Sequence, residues 1–379
     1  MKRRTLPWVA LPFVLFLTGC PSDGGGGGGG NEGAGTIPAV VYTANDGSNT
    51  VSGFTIGAGG VLTATAPATF ATGGTDTQWI AVSANGQFLY LSNQSSANIS
   101  AYTINSTTGV LTATTPATFS TGVGSSPRGL TVTPNGQFLY TANTTTNTVA
   151  GFSIGAGGVL TPTTPATFAT GGTSARGIVV SPSGQFLFVV NAGTNDVSAF
   201  TIGAGGALTA TTPATFSTGV GSSPEGVAIS PNGSFLYVAN SGTNEVAAFT
   251  VGAGALLTPT APATFSTGVG SSPQRIAISP NGSFLYVANS GTDEVAAFTI
   301  GAGGLLTPTT PATFSTGIGS VPVGITINPT GQFVYVANNG TNQVAGFTIG
   351  VGGVLAPTTP ATFSVAPNVP VAIATPGRP

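Results

Sequence analysis

The chain has 379 residues, of which only 4% are charged, and seven basic against nine acidic side chains leave a formal net charge of −2. So sparse and slightly acidic a charge excludes a nucleic-acid binder, and a hydrophobic content of 40% excludes an intrinsically disordered chain. With no histidine there is no imidazole base, no Ser-His-Asp triad and no histidine metal site, and the single cysteine has no partner for an intramolecular disulfide. Nothing in the composition calls for a cofactor or a bound metal. The abundance of Gly, Thr, Val and Ser, without any sustained 3.6-residue apolar period beyond the N-terminus, predicts short strands, tight turns and almost no helix.

In chain order, Lys2, Arg3 and Arg4 precede an apolar stretch over residues 6–18 that is short for a permanent membrane span. Leu17-Thr18-Gly19-Cys20 follows, and this order resembles the lipobox of bacterial lipoproteins. The resemblance implies a signal peptide over residues 1–19 and lipid attachment at Cys20, hence a membrane-anchored protein of the cell envelope, periplasmic or surface-exposed. Residues 20–36, with an unbroken glycine run at 24–30, read as the lipidated cysteine and a flexible tether. Removal of the basic leader leaves Arg128, Arg176, Arg275 and Arg378 against nine acids, a net charge of about −5.

From residue 37 onward one pattern returns. Its conserved-length unit ends in Asn45, Asn93, Asn143, Asn191, Asn240, Asn289 and Asn338, at steps of 48 to 50 residues, the period of a propeller blade. In the copy over residues 224–270, a first strand at 226–230 ends at Asn232-Gly233, a strong hairpin signal because both residues tolerate positive φ. A second strand at 234–240, a third at 245–251 and a fourth, Pro-containing one at 256–267 complete the unit. Phe235 to Ala239 are all apolar, so both faces of the second strand must be covered, as between two neighbouring blades. The third-strand aromatics Phe54, Tyr102, Phe152, Phe200, Phe249, Phe298 and Phe347 fill the same layer. Pro259 and Pro262 place the fourth strand at the outer edge, since proline cannot donate to a central ladder. The repeated asparagine reads as a turn former bonded to its own backbone. The chain enters at a second strand, residues 39–42, and ends in an unpartnered first strand around residues 369–377, so the two ends complete one blade. The predicted fold is a monomeric, all-β, seven-bladed propeller over residues 37–379, with four antiparallel strands per blade and a ring closed by pairing its terminal segments.

Ser-Pro-Asn-Gly, Phe-Leu-Tyr-Val-Ala-Asn, Gly-Ala-Gly-Gly before Leu-Thr-Pro, and Thr-Gly before Pro-x-Gly together resemble the lactonase-type seven-bladed propellers and the related YVTN-repeat propellers. The resemblance covers residues 37–377 and rests on strands and turns. It implies relatives among 6-phosphogluconolactonases and muconate-cyclising enzymes, which use Arg, His and Glu near the central channel, whereas this chain has no His.

Aligning the first strands brings Val371, Gln78, Arg128, Arg176, Glu225, Gln274 and Val323 to one equivalent position at a channel mouth, with Arg275 directly following. Asp46, Asp196, Glu245, Asp293 and Glu294 lie in turns on the same face, one to a blade or nearly so, a spacing that does not assemble the six or more oxygens calcium needs. Gln78, Arg128, Arg176, Glu225, Gln274 and Arg275 are therefore the candidate ligand-binding residues. Lacking imidazole and a free thiol, the sequence favours a non-catalytic module or scaffold that binds an envelope protein or glycan through its charged face. The alternative is a divergent lactone hydrolase, 6-phosphogluconolactonase-like, with Glu225 as base and the arginines stabilising the oxyanion.

Overall fold

Each strand ends where the turn chemistry requires. In the fifth blade the innermost strand, Pro224–Ile229, runs into Ser230-Pro231-Asn232-Gly233. There the Ser230 hydroxyl donates to Asn232 Oδ1 at 2.6 Å and accepts the Phe235 N–H at 2.9 Å. Gly233 sits at φ +73°, a conformation in which a Cβ would be strained, and its N–H closes the turn on the Ser230 carbonyl at 2.8 Å. The chain returns as Phe235–Asn240, then Glu245–Val251, then Leu257–Ser266, each strand antiparallel to the one before. The two prolines expected at the outer edge, Pro259 and Pro262, fall in the outermost strand, with Pro259 opposite Phe249.

The computed structural model describes residues 39–365 and 367–376, and within them this four-stranded unit occurs in seven sheets. Six single 3-10 turns are the helical elements among the described residues. The expected signal peptide, Cys20 and the tether over residues 20–36 lie outside the described residues. The first blade takes its innermost strand, Pro370–Ala374, from the far end of the chain, and that strand pairs antiparallel with Val40–Asn45 in the register Tyr42 to Ala374 and Ala44 to Ala372. The innermost strands then stand side by side around the whole ring, including Pro370–Ala374 against Thr77–Val82.

The second strands are buried along nearly their whole length, which explains their unbroken apolar run. Seven apolar clusters form, each built from two successive blades; Phe188 and Val190 of the fourth blade, for example, pack with Leu236, Val238 and Phe249 of the fifth. Phe249 is 2% exposed, and burial of such a side chain contributes about 1.5–3 kcal/mol.

A polar clasp crosses these seams. The Tyr42, Tyr90, Tyr140, Tyr237, Tyr286 and Tyr335 hydroxyls donate to the carbonyls of Gly109, Gly158, Gly206, Gly304, Gly353 and Gly60, each in the next blade, at 2.6 to 3.1 Å. The acceptor turn must be glycine-like: Gly304 has φ +76°, and a Cβ there would lie 2.4 Å from the Phe235 ring. Between the fourth and fifth blades Phe188 stands in the tyrosine's place and supplies no hydroxyl, and the turn carries Ala255 at φ +64°.

The repeated asparagine differs from its expected role. Asn45, Asn93, Asn143, Asn191, Asn240, Asn289 and Asn338 are fully buried. Their amides reach across the blade instead of back to their own backbone: Asn191 Nδ2 donates to Asp196 Oδ1 at 2.7 Å and Ser198 Oγ at 2.6 Å, and Asn240 Nδ2 donates to the Thr218 carbonyl at 3.2 Å. Burial makes the difference, because a side chain at the end of a central strand has neighbouring strands as its nearest acceptors.

Tyr237→Phe, which leaves the Gly304 carbonyl buried without its donor, is expected to cost about 1–3 kcal/mol in denaturant unfolding. The paired change Phe188→Tyr with Ala255→Gly, which supplies the seventh clasp, is expected to raise stability by about 1 kcal/mol in the same measurement. A neutral Tyr237→Phe would show that the clasps carry no net stability.

Candidate functional site at the channel mouth

At the start of each innermost strand the pairing with the second strand skips a residue. Gln78, Glu225, Gln274, Val323 and Val371 are the extra residues of these bulges, and in the third and fourth blades the irregularity covers Arg128 and Arg176 with the glycines that follow. A bulge re-aims its side chain out of the ladder, and here the ring closes the seven positions around one axis. The alignment of first strands thus corresponds to a physical ring.

Within that ring, Arg128, Arg176 and Glu225 converge from three consecutive blades. Arg176 Nη1 forms a close ion pair with Glu225 Oε1, and Arg128 Nη1 lies 3.8 Å from Glu225 Oε2. All three side chains are largely buried, with Glu225 at 14% exposure, so the pairing is less screened than a surface ion pair. The buried Nε of Arg176 has no hydrogen-bond partner among the described residues.

Gln78, Trp79, Arg128, Glu225, Gln274, Arg275, Val323 and Val371 line a pocket of about 90 Å³. Two of its candidates are engaged locally. Gln78 Nε2 donates to Asp76 Oδ1, whose other oxygen accepts from Ser95 at 2.9 Å, and Gln274 Nε2 donates to Ser290 Oγ and the Ser272 carbonyl, both at 3.1 Å. Arg275 reaches across the channel, placing Nη2 2.9 Å from the Gln78 carbonyl. A larger cavity, about 820 Å³, opens at the opposite mouth, but valines and prolines such as Pro134, Pro182 and Pro231 line it with no charged side chain. Between these two cavities, the charged side chains line the smaller one.

Desolvation dominates the ionisation of the arginines. Burial lowers Arg128, against the favourable charge of Asp76. Burial and then the charge of Arg128 lower Arg176 to about 10 and Arg275 to about 9. On the same face, burial and the neighbouring Asp76 raise Asp46.

The remaining turn acids hold their own loops. Asp293 accepts the N–H groups of Gly319 and Val321, each at 2.8 Å, which lowers its pKa. Asp196, Glu245 and Glu294 accept from Asn191, Thr264 and Thr313. No group of three or more metal-ligating side chains gathers among the described residues.

Sequence reasoning missed Trp79 and Asp76. Both were visible as broken repeats: Trp79 stands where other blades carry Gly129, Gly177, Gly226 and Gly324, and Asp76 where they carry Ser126, Ser174, Ser223 and Ser272.

These features define a seven-bladed propeller with an arginine-rich pocket at one channel mouth. A family model described as "Lactonase, 7-bladed beta-propeller" matches residues 38–123, 111–261 and 178–366, and the chain belongs to that family. A putative 6-phosphogluconolactonase from Bacteroides fragilis superposes with a TM-score of 0.76 at 24% identity, covering 89% of this chain and 98% of the other. The Pseudomonas aeruginosa periplasmic gluconolactonase PpgL does so with a TM-score of 0.72 at 20% identity, over 88% and 98% of the two chains. At these identities the likeness is one of fold. No curated protein sequence matches the chain.

The family match corrects the functional order drawn from sequence. The lack of histidine favours a non-catalytic binding or scaffold module, and membership of the lactonase family overturns that preference.

Because a base with a lowered pKa is charged below that value and discharged above it, Arg275 and then Arg176 lose charge as the pH rises through about 9 and about 10. Affinity for inorganic phosphate, used as an anion probe in calorimetry, is expected to fall by about tenfold between roughly pH 8 and 10. A constant affinity would show that these guanidiniums do not attract the anion.

Proposed function

We propose that the protein is a lactone hydrolase acting at the charged channel mouth. The observation that carries this reading is the convergence of Arg128, Arg176 and Glu225 from three consecutive blades of a lactonase-family propeller. Descriptions of the structural neighbours as a putative 6-phosphogluconolactonase and a gluconolactonase support a sugar-acid lactone as the substrate class.

In this reading Glu225 takes a proton from water as the water oxygen bonds to the lactone carbonyl carbon. The carbonyl oxygen becomes an oxyanion stabilised by guanidinium donors. Arg128, the more loosely paired of the two arginines, is the freer to turn to it, while Arg176 holds the carboxylate. Collapse of the tetrahedral adduct breaks the ring C–O bond, and the leaving alkoxide recovers the proton from Glu225, giving the open hydroxy acid.

The full-length chain is expected to hydrolyse at least one member of a panel of γ- and δ-lactones, read by proton release. Glu225→Ala and Arg176→Ala are each expected to lower kcat/KM by about 100-fold or more. Absence of turnover across the panel, or full activity in Glu225→Ala, would overturn the assignment.

The N-terminal pattern ending in Leu17-Thr18-Gly19-Cys20 supports placing the enzyme at the cell envelope as a lipoprotein. Expressed in a bacterium, the chain is expected to incorporate radiolabelled palmitate and Cys20→Ser to incorporate none. Equal labelling of the two would exclude an anchor at Cys20.

A further inference from the structure

The glycine row just inside the mouth exists because the innermost strands crowd one another. A Cβ on Gly129 would lie 2.2 Å from the Arg176 carbonyl oxygen, on Gly177 2.6 Å from that of Glu225, and on Gly226 2.5 Å from that of Gln274. The same row carries Ala372 in the first blade, Trp79 in the second and Arg275 in the sixth. The two large side chains meet: the Arg275 guanidinium carbon lies 3.6 Å from the centroid of the Trp79 ring, and Nη2 donates to the Gln78 carbonyl at 2.9 Å. The second and sixth blades are not neighbours in the ring, so the pair spans the channel.

Trp79 and Arg275 line both the mouth pocket of about 90 Å³ and a second chamber of about 280 Å³ immediately beneath it. That chamber is lined by the next rows of the innermost strands, among them Thr131, Gly226 and Val227, and its accessible surface is mainly polar, because Leu130, Ile178 and Ile325 are buried in the seams between blades. We propose that the Trp79–Arg275 stack is a partition across the channel, and that as the floor of the mouth pocket it selects lactones with short ring substituents.

The magnitudes favour a filter over a passive contact. A guanidinium stacked on indole away from bulk water is held by cation–π attraction in addition to its hydrogen bond, which keeps one arrangement populated. The mouth pocket alone is small beside the roughly 300–1,000 Å³ of ordinary ligand sites. Joined to the chamber it would reach about 370 Å³, room for a longer ring substituent. The size limit thus resides in two side chains and not in the blades.

This inference rests on the hydrolase reading for its substrate and on geometry alone for the partition, and two measurements separate them. With Trp8→Phe in the full-length chain, Trp79 is the sole indole. Adding Arg275→Gly is expected to raise acrylamide quenching of Trp79 fluorescence about twofold or more, because the ring loses the group that covers it. An unchanged quenching constant would overturn the partition.

In the second measurement, kcat/KM is compared over γ-lactones of increasing alkyl length. The unaltered chain is expected to favour γ-butyrolactone over γ-octalactone by about tenfold or more. Trp79→Gly with Arg275→Gly, which gives these blades the residue of four others, is expected to reduce or invert that ratio, chiefly through KM of the longer substrate. A ratio unchanged in the double variant would overturn the filter. Absence of turnover in the unaltered chain would overturn the hydrolase reading and the filter with it, leaving the quenching result to decide the partition.

Discussion

The hydroxyl of a buried tyrosine, given to a turn carbonyl in the next blade, is the contact around which this ring is organised. Apolar burial alone would let two sheets slide over each other, because it has no preferred direction. A hydrogen bond of 2.6 to 3.1 Å at the edge of the same interface has one. It also dictates sequence far from itself. The acceptor turn must adopt positive φ with no side chain facing the neighbouring phenylalanine, so the repeat keeps a Gly-rich turn as strictly as it keeps the tyrosine.

The candidate site depends on that regularity and also on a local departure from it. Seven equivalent bulges turn seven side chains toward one axis, and the ring makes them neighbours despite separations of about 50 residues in the chain. What differs from blade to blade at that position, Arg128 and Glu225 with the opposing Val323 and Val371, then becomes a pocket with one polar wall and one apolar wall, to which Arg176 is joined by its ion pair with Glu225. The frame is generic, and the chemistry comes from side chains the frame leaves free to vary.

The fold was legible in the sequence because its causes are local and repeated: Asn-Gly turns, strands apolar on both faces, prolines at the outer edge and two terminal fragments that complete each other. The mouth ring was legible by alignment for the same reason. The pairing of Glu225 with two arginines and the reach of Arg275 across the channel were not, because each joins blades whose sequences say nothing about one another. The asparagine was misread because its amide bonds to strands brought beside it only when the blade is complete. Trp79 departs from the glycine of four other blades, but its partner Arg275 lies about 200 residues away in a blade that the repeat does not place opposite it. Function was misjudged for a different reason: the absence of histidine was weighed above a carboxylate and three arginines that together can handle a proton and a developing negative charge.

The seam between the fourth and fifth blades lacks the tyrosine clasp, with Phe188 on one side and Ala255 on the other. Arg176 belongs to the fourth blade and Glu225 to the fifth, so their ion pair crosses this same seam at the channel end. A closed ring of equivalent joints would share any distortion equally among them. A ring with one altered joint has a single seam unlike the others, which gives an otherwise repetitive scaffold a direction, and that seam runs beneath the ion pair of Arg176 with Glu225.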